Sequence, residues 1–560
     1  MMRPRTLLVL LLAAAAPLGC TESTPPAARD AGPGGDGGAP TPTVDAGWRS
    51  ALYPEDWTPG FTAADGRFLH DFSYAGYRAG EVPLPEEDPP PRIDAVSDFG
   101  ADPDGGVDAT AALQAALDAA GADGGTVYLP AGDYRVDGLL KMERPGVVLA
   151  GAGVGATRLH FRATAATAPA LAYGAHLQVG GPLSYGVDVP LASDAAARSF
   201  ELQVDAGDGL APGDEVALGW NVTDAWVAEH GMQGYWDTPT FAFHGTWQPF
   251  AFRTVVSVDT SSLPHRVRLD VPLRLPAKVR DGASLRRVTG WTREVGLRGF
   301  SFTNACSESD AWAANQVHAI QLRGVQDGWV RDVSSFSPAG DGAHLQSSGL
   351  LAWSSRRVTI RGVQLGPVQN RGSGGNGYLF ELRQANEVLT SDCTATGGRH
   401  NFIQNWELGT SGCVWLRVTS RDGRAQDSRD SPFSQVGHSE THRALAHANL
   451  FDGSVFADGL SLVNRARWSS NAGHTATENV AWNCSGNGTG QLRSYQFGHG
   501  YVVGARGFEA VVTALDDLGA ALRGQSAGTA PEDTVEGAGE QEPPTPASLY
   551  EDQRARRLGR

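Results

Sequence analysis

From residue 329 onward, short apolar runs return at intervals close to thirty residues, and this spacing limits the available folds more than any other feature. The runs are Trp329-Val330, Arg357-Val358-Thr359-Ile360, Glu387-Val388-Leu389, Cys413-Val414-Trp415-Leu416, Asn449-Leu450-Phe451 and Asn479-Val480-Ala481-Trp482. Val330, Val358, Val388, Val414, Leu450 and Val480 are separated by 28, 30, 26, 36 and 30 residues. A repeat of this length, with excursions of varying size, fits a solenoid in which each turn covers the apolar face of the last. The runs are β-branched, are joined through glycine and lack a 3.6-residue period, so they predict strands rather than paired helices. The expected class is all-β, a stack of parallel coils.

The segment before the repeats reads as the start of such a stack. Ile93–Gly100 has the pattern of a strand and turn. Asp108 is a candidate N-cap, and Leu113, Ala116, Leu117 and Ala120 share one helical face that stops at Gly121. Gly124-Gly125 then leads into Thr126–Pro130 and Ala131–Val136. A short helix here would cap the open end of the stack. The run DFGADPDGGVDATAALQAALDAAGADGGTVYLPAGDYRV resembles the N-terminal signature of the pectate-lyase superfamily, which includes polygalacturonase-related enzymes and phage tail depolymerases. The resemblance covers roughly 60 residues. It implies a right-handed parallel β-helix of the pectin-lyase type and says little about the reaction. The 300–558 region also looks like a subgroup of polysaccharide-active proteins, without a catalytic assignment.

The remaining organisation follows from composition. Arg3 and Arg5 precede an apolar run, Leu7–Ala16, too short for a stable membrane span. Pro17-Leu18-Gly19-Cys20 resembles a lipobox, with leucine displaced by one position, so 1–20 is expected to be a lipoprotein signal peptide with lipidation at Cys20. Thr21 follows the cysteine, which points to the outer membrane or cell surface; periplasmic or secreted protein is the alternative. Residues 21–47 have the composition of a disordered tether. Residues 48–92 are expected to wrap the body, 93–160 to start the β-helix, 161–292 to form a β-rich insertion, 293–515 to form further coils, and 516–560 to be an acidic, Pro-rich tail, with 548–558 a candidate terminal helix. In the insertion, Phe200–Val204, Asp214–Trp220, Phe252–Asp259 and Arg266–Val271 alternate like strands. Its Trp220, Trp226, Trp236 and Trp247 could stack on sugars or pack the insertion onto the coils. The net charge of −17 disfavours nucleic-acid binding, although residues 321–500 are near neutral, with 16 Arg against 14 acidic residues. Cys306, Cys393, Cys413 and Cys484 match no zinc spacing and could pair in three ways or simply fill coil interiors.

Acid–base chemistry concentrates in 370–484. His400, His442 and His474 precede repeat strands by 14, 8 and 6 residues. Stacked coils lie ~4.8 Å apart, so these imidazoles are expected in one groove with Arg399, Arg443, Tyr378 and Glu381. Arg383 and Asn449 are further candidate substrate contacts. Gly498-His499-Gly500 resembles a polygalacturonase motif, but the aspartates that accompany it there are not found before it, and Asp516-Asp517 comes late. No HExxH spacing occurs. No metal site is assigned and no cofactor is indicated with certainty; calcium is an option at Asp452 or Asp458, although no loop motif frames them.

Clustered arginine, histidine and tyrosine favour a polysaccharide lyase acting on an acidic, uronate-containing glycan. The alternatives are a glycoside hydrolase, for which Glu381, Glu440, Asp452 and Glu478 are the candidate carboxylates, and a non-catalytic carbohydrate-binding or adhesive protein. β-Elimination removes the C5 proton of a uronate and expels the C4 oxygen, so the substrate carboxylate must be neutralised. No lysine follows Lys278, which excludes a lysine base in this region. Arg399, then Arg443, is assigned to the carboxylate. His442 is the expected base with His400 as alternative, and Tyr378 or His474 would protonate the leaving oxygen.

Overall fold

The computed structural model describes residues 47–560 except 122, 208 and 514–531; the leader, Cys20, most of the tether and Asp516-Asp517 lie outside them. The body is a right-handed parallel β-helix. One ladder runs Leu297–Val330–Ile360–Thr390–Trp415–Phe451–Ala481–Val502–Val535, each residue paired in parallel with the next. A second parallel sheet of ten strands runs from Leu140–Met142 to Ala510–Val512 and includes Tyr378–Arg383, His400–Gln404, Ser439–Thr441 and Leu460–Val463.

The six apolar positions read from the sequence are not equivalent. Val414, Leu450 and Val480 are in register with one another and with Leu389 and Thr359, whereas Val358 and Val388 lie one residue earlier. Because side chains alternate across a strand, this one-residue offset separates two faces. Val358 and Val388 join Trp415, Phe451 and Ala481 in the interior. Val414, Leu450 and Val480 face outward, where Leu52, Tyr53, Trp57, Leu69 and Phe72 cover them together with Leu549 and Tyr550. The 48–92 segment therefore caps an outer apolar face.

The helix at the start, Thr110–Ala120, buries Leu113, Ala116, Leu117 and Ala120 against the first coil. Its N-cap is Ala109 rather than Asp108, whose carboxylate instead accepts from the Thr110 N–H and hydroxyl. The insertion is narrower than 161–292. Its six antiparallel strands lie between Ser184 and Thr289, while Ala175–Gly180 belongs to the β-helix through pairing with His318–Arg323. Trp220, Trp226 and Trp236 are buried in the insertion's core, and the Trp247 indole donates to Ser284, so the tryptophans pack rather than present a sugar platform. At the other end, Glu532–Glu536 pairs in parallel with His499–Val503, and the Leu549–Leu558 helix docks through Tyr550 and Gln553. Over 532–560, one more strand and a clasp thus stand where a tail was expected. Cys306, Cys393, Cys413 and Cys484 are free thiols, the last three buried in the stack.

Trp415 is fully buried and packs on Phe402 and Phe451, with ring centroids 5.4 and 6.4 Å away. Trp415→Ala is expected to lower unfolding free energy by about 3–5 kcal/mol in chemical denaturation, because a rigid stack cannot collapse around the cavity.

Candidate functional site

The site grows on the outer face of the ten-stranded sheet. Phe380, Phe402, Leu460 and Leu492 point inward. The outward ladder runs Leu351–Glu381–Ile403–Glu440–Ser461–Arg493. Tyr378 pairs directly with His400. His442 follows the strand Ser439–Thr441, and strand alternation carries it to the same side as Glu440. Close backbone approach fixes the coils here: a Cβ on Gly437 would lie 1.7 Å from the Arg399 carbonyl oxygen.

Glu440 is the centre of the cluster. It accepts from His442 Nδ1 and, at 3.0 Å, from Arg465 Nη1, and His400 Nε2 stands 3.3 Å away. The arginine and histidines around it hold its carboxyl well below the usual range despite burial. A carboxylate only accepts, so the His442 ring proton sits on Nδ1, leaving Nε2 as an acceptor 3.0 Å from Ser469 Oγ. Burial, then the nearby Arg465, pushes His442 down to about 4. Burial likewise lowers His400 well below the ordinary value, and its Nδ1 donates to the His438 carbonyl at 2.7 Å. The Tyr378 ring centroid lies 5.5 Å from that of His400 and 6.0 Å from that of His442.

Two adjoining hollows meet at Ser373 and Arg399. One, of about 520 Å³, includes Tyr378, Arg383, Arg399, Trp406, His442, Arg443 and Ser469 in its lining. The other, of about 550 Å³, includes His400, Glu440, Arg465, Trp468 and Arg493. Phe241 and Phe243 of the insertion, behind the lining, and Trp406 of the coils surround the Arg443 guanidinium at 5.6, 5.7 and 4.4 Å. Burial pulls Arg443 down to about 10, so it stays charged at neutral pH. Among the described residues neither Arg399 nor Arg443 has a carboxylate partner. Arg399 donates to the Gly372 carbonyl and Arg443 to that of Thr240. Arg383 and Arg465, by contrast, are tied to Glu381 and Glu440.

The structure thus brings His400, His442, Tyr378, Arg399 and Arg443 together and removes other candidates. His474 is buried against Phe497 and Trp236, with centroids 5.1 and 6.4 Å away, and lines neither hollow. Asn449 belongs to a buried amide ladder: it donates to Thr410 O and Asn479 Oδ1 and accepts from Cys413 N–H. Glu381 is enclosed by Arg383, His318 and Asn405 and driven to about 2, chiefly by Arg383 against the opposing effect of burial; it lines neither hollow. Arg383 lines the hollow but is also tied to Gln316. Asp452 accepts from Ser548 and the Tyr550 N–H, and Asp458 from Ser420, Gly423 and Asn401, so protein donors occupy both proposed calcium ligands. Glu478 pairs with His70 at 2.6 Å. Among the described residues the hydrolase candidates therefore form no facing carboxylate pair across the groove. The donor atoms of His400, Glu440 and His442 lie within 4.8 Å of one another, a spacing open to a divalent ion. Arg465 on the same carboxylate would oppose that ion, and we read the cluster as hydrogen-bonded.

Residues 94–224 match the family model of rhamnogalacturonase A/epimerase, pectate lyase-like. Over that segment the chain is similar to pectate-lyase-like proteins. Over 70 residues it is 59% identical to a mannuronan C5-epimerase of Azotobacter vinelandii, covering 11% of this chain and 12% of that one. Over another 70-residue alignment it is 53% identical to an alginate lyase of the same organism, covering 11% and 8%. The chain thus spans only a small part of the curated relatives it matches. Among solved structures, the tailspike of Pseudomonas phage phi297 aligns with a TM-score of 0.47 and 13% identity, over 74% of this chain and 65% of that one. The tailspike of Acinetobacter baumannii phage AP22, solved with a capsular saccharide, aligns with a TM-score of 0.45 and 11% identity, over 81% and 68%.

Burial holds His442 and His438 near 4 and His447 and His474 near 3. Their unfolded values lie near 6.5, so below that pH the unfolded chain binds more protons. Stability contributed by these neutral rings is full above about pH 6.5 and falls as pH drops through the window down to about 3. Thermal unfolding across this range should show a steadily decreasing Tm.

Proposed function

We propose that this protein is a polysaccharide lyase that removes the C5 proton of a uronate in an acidic glycan. The observation that carries this reading is the pair of guanidinium groups, Arg399 and Arg443, facing the hollow without a protein carboxylate while the nearby Arg383 and Arg465 are paired. Arg443 is buried and Arg399 partly so; a buried cation without a counter-ion is costly, and a substrate carboxylate would supply one. Arginine can take it through two parallel bonds and stabilise the charge that develops as the C5 proton leaves. His442 Nε2 is the base, kept neutral by burial and oriented by Glu440 through Nδ1. Tyr378 is the acid for the departing C4 oxygen, since burial raises its hydroxyl and keeps it protonated. His400 is the alternative base.

The epimerase match favours a second reading of the same first step. If the C5 carbanion is reprotonated from the opposite face, before the C4–O bond breaks, the product is an inverted uronate instead of an unsaturated one. The two fates separate in one digest: an unsaturated uronide absorbs in the ultraviolet, while inversion changes the anomeric proton spectrum without shortening the chain.

On a substrate that the wild type turns over, His442→Ala is expected to reduce kcat by about 10²–10⁴-fold. Arg399→Lys should lower kcat/KM by roughly tenfold, because a point charge replaces a bidentate fork. Full activity in both His442→Ala and His400→Ala, with folding checked by circular dichroism, would remove the site. The kcat profile should show no loss on acidification from pH 7 until near pH 4, where His442 takes up a proton.

We also propose that the chain is exported and anchored through acyl chains on Cys20. Among the described residues no helix is long and apolar enough to cross a membrane. Radiolabelled palmitate should enter the wild type, and Cys20→Ser should lose both label and membrane association. Persistence of the label would exclude Cys20 as the acylated residue.

A further inference from the structure

Ser469, which the lyase reading does not use, completes a hydrogen-bonded line. Its Oγ lies 3.0 Å from His442 Nε2, and His442 Nδ1 donates to Glu440. With the ring proton fixed on Nδ1 by the carboxylate, the serine hydroxyl is the donor to Nε2. Arg465 Nη1 lies 3.1 and 3.0 Å from the two Glu440 oxygens and fixes that carboxylate. This is the order of groups that activates a serine: hydroxyl to imidazole, imidazole to carboxylate.

The backbone around Ser469 adds an independent observation. Ser469 and Ser470 lie in the left-handed region, at φ 53° and 58°, where non-glycine residues are uncommon. The turn presents Ser469 to the hollow that holds Tyr378, Arg399 and Trp406. Among the described residues the N–H groups of Ser469 and Ser470 find no acceptor, whereas those of Asn471 and Ala472 are bonded to Arg467 and Trp468. Unbonded N–H groups at and after a nucleophilic serine are the donors that an oxyanion requires.

We propose that Ser469, His442 and Glu440 form an esterase triad that removes small acyl groups, such as acetyl, from the hydroxyls of the glycan in this groove. The choice of glycan rests on the uronate reading above; the triad does not. Ser469 Oγ bonds to the ester carbonyl carbon as His442 takes its proton. The bond from that carbon to the sugar oxygen breaks, and His442 passes the proton to the departing oxygen. Water then attacks the acyl-serine, His442 takes the water's proton and returns it to Ser469, and a carboxylic acid leaves. No redox partner or metal is consumed.

The test uses the full chain with p-nitrophenyl acetate, a fluorophosphonate label and an O-acetylated uronate polymer. The wild type should release acetate and carry the label on Ser469 in peptide mass spectrometry. Ser469→Ala should lose the label and reduce ester hydrolysis by on the order of 10⁴-fold. Glu440→Gln should lower kcat with little change in KM and reduce labelling, as expected of a positioning residue. Ester hydrolysis at the wild-type rate in Ser469→Ala, or a folded wild type that neither labels nor releases acetate, overturns the triad. Acetate and unsaturated uronide are measured in the same digest. Acetate without uronide supports the triad while removing the lyase, and uronide without acetate overturns the triad while leaving the lyase intact.

Discussion

The parallel ladder between successive coils sets everything else in the molecule. Backbone hydrogen bonds fix the distance between neighbouring strands at ~4.8 Å, whatever the length of the loops joining them. Tyr378 and His400 are therefore adjacent across 22 residues of chain, and Ile403 and Glu440 across 37. Interior stacking of Phe380, Phe402 and Trp415 keeps that register from slipping, since a one-residue shift would bury Glu381 and Glu440 in an apolar core. The precision of the polar cluster thus derives from the apolar one behind it.

On this frame a single carboxylate organises the site. Glu440 is buried, so its charge is tolerable only because Arg465 and His442 approach it closely. Its demand for donors fixes the histidine tautomer and turns Nε2 toward the hollow. The insertion acts from the other side: Phe241 and Phe243 exclude water around Arg443 and leave its charge without a protein carboxylate. The scaffold thereby places an acceptor nitrogen, two available guanidinium groups and a hydroxyl around one space.

Much of this was legible in the chain. Repeat spacing and the 93–136 signature lead to a β-helix because both depend on local pattern. The segment HSETH, 438–442, also carried a readable signal, since alternation places His438, Glu440 and His442 on one side of a strand. What the sequence did not reveal depends on where loops return. His474 resembles His400 in composition and context, yet Trp236 of the insertion and Phe497 of the next coil claim it. Asn449 looked like a sugar contact because asparagine is polar; in a solenoid, an asparagine at a coil corner can instead bond its counterparts above and below, as Asn449 does with Asn479. Ser469 carries no motif, and only the turn that folds it over His442 marks it out.

The clasp between the two ends of the chain bears on how the protein comes into being. Tyr53 bonds Asp552 across 499 residues, and Trp57, Leu69 and Phe72 rest on coils from the last third of the sequence. At synthesis rates of ~5–20 residues per second, the aromatic segment emerges on the order of a minute before its seat exists. Until then it is an unsatisfied apolar strip beside growing open strands, so the first aromatic residues of the fold are among the last to be buried, and the molecule is most exposed to wrong association while its own chain is still being made.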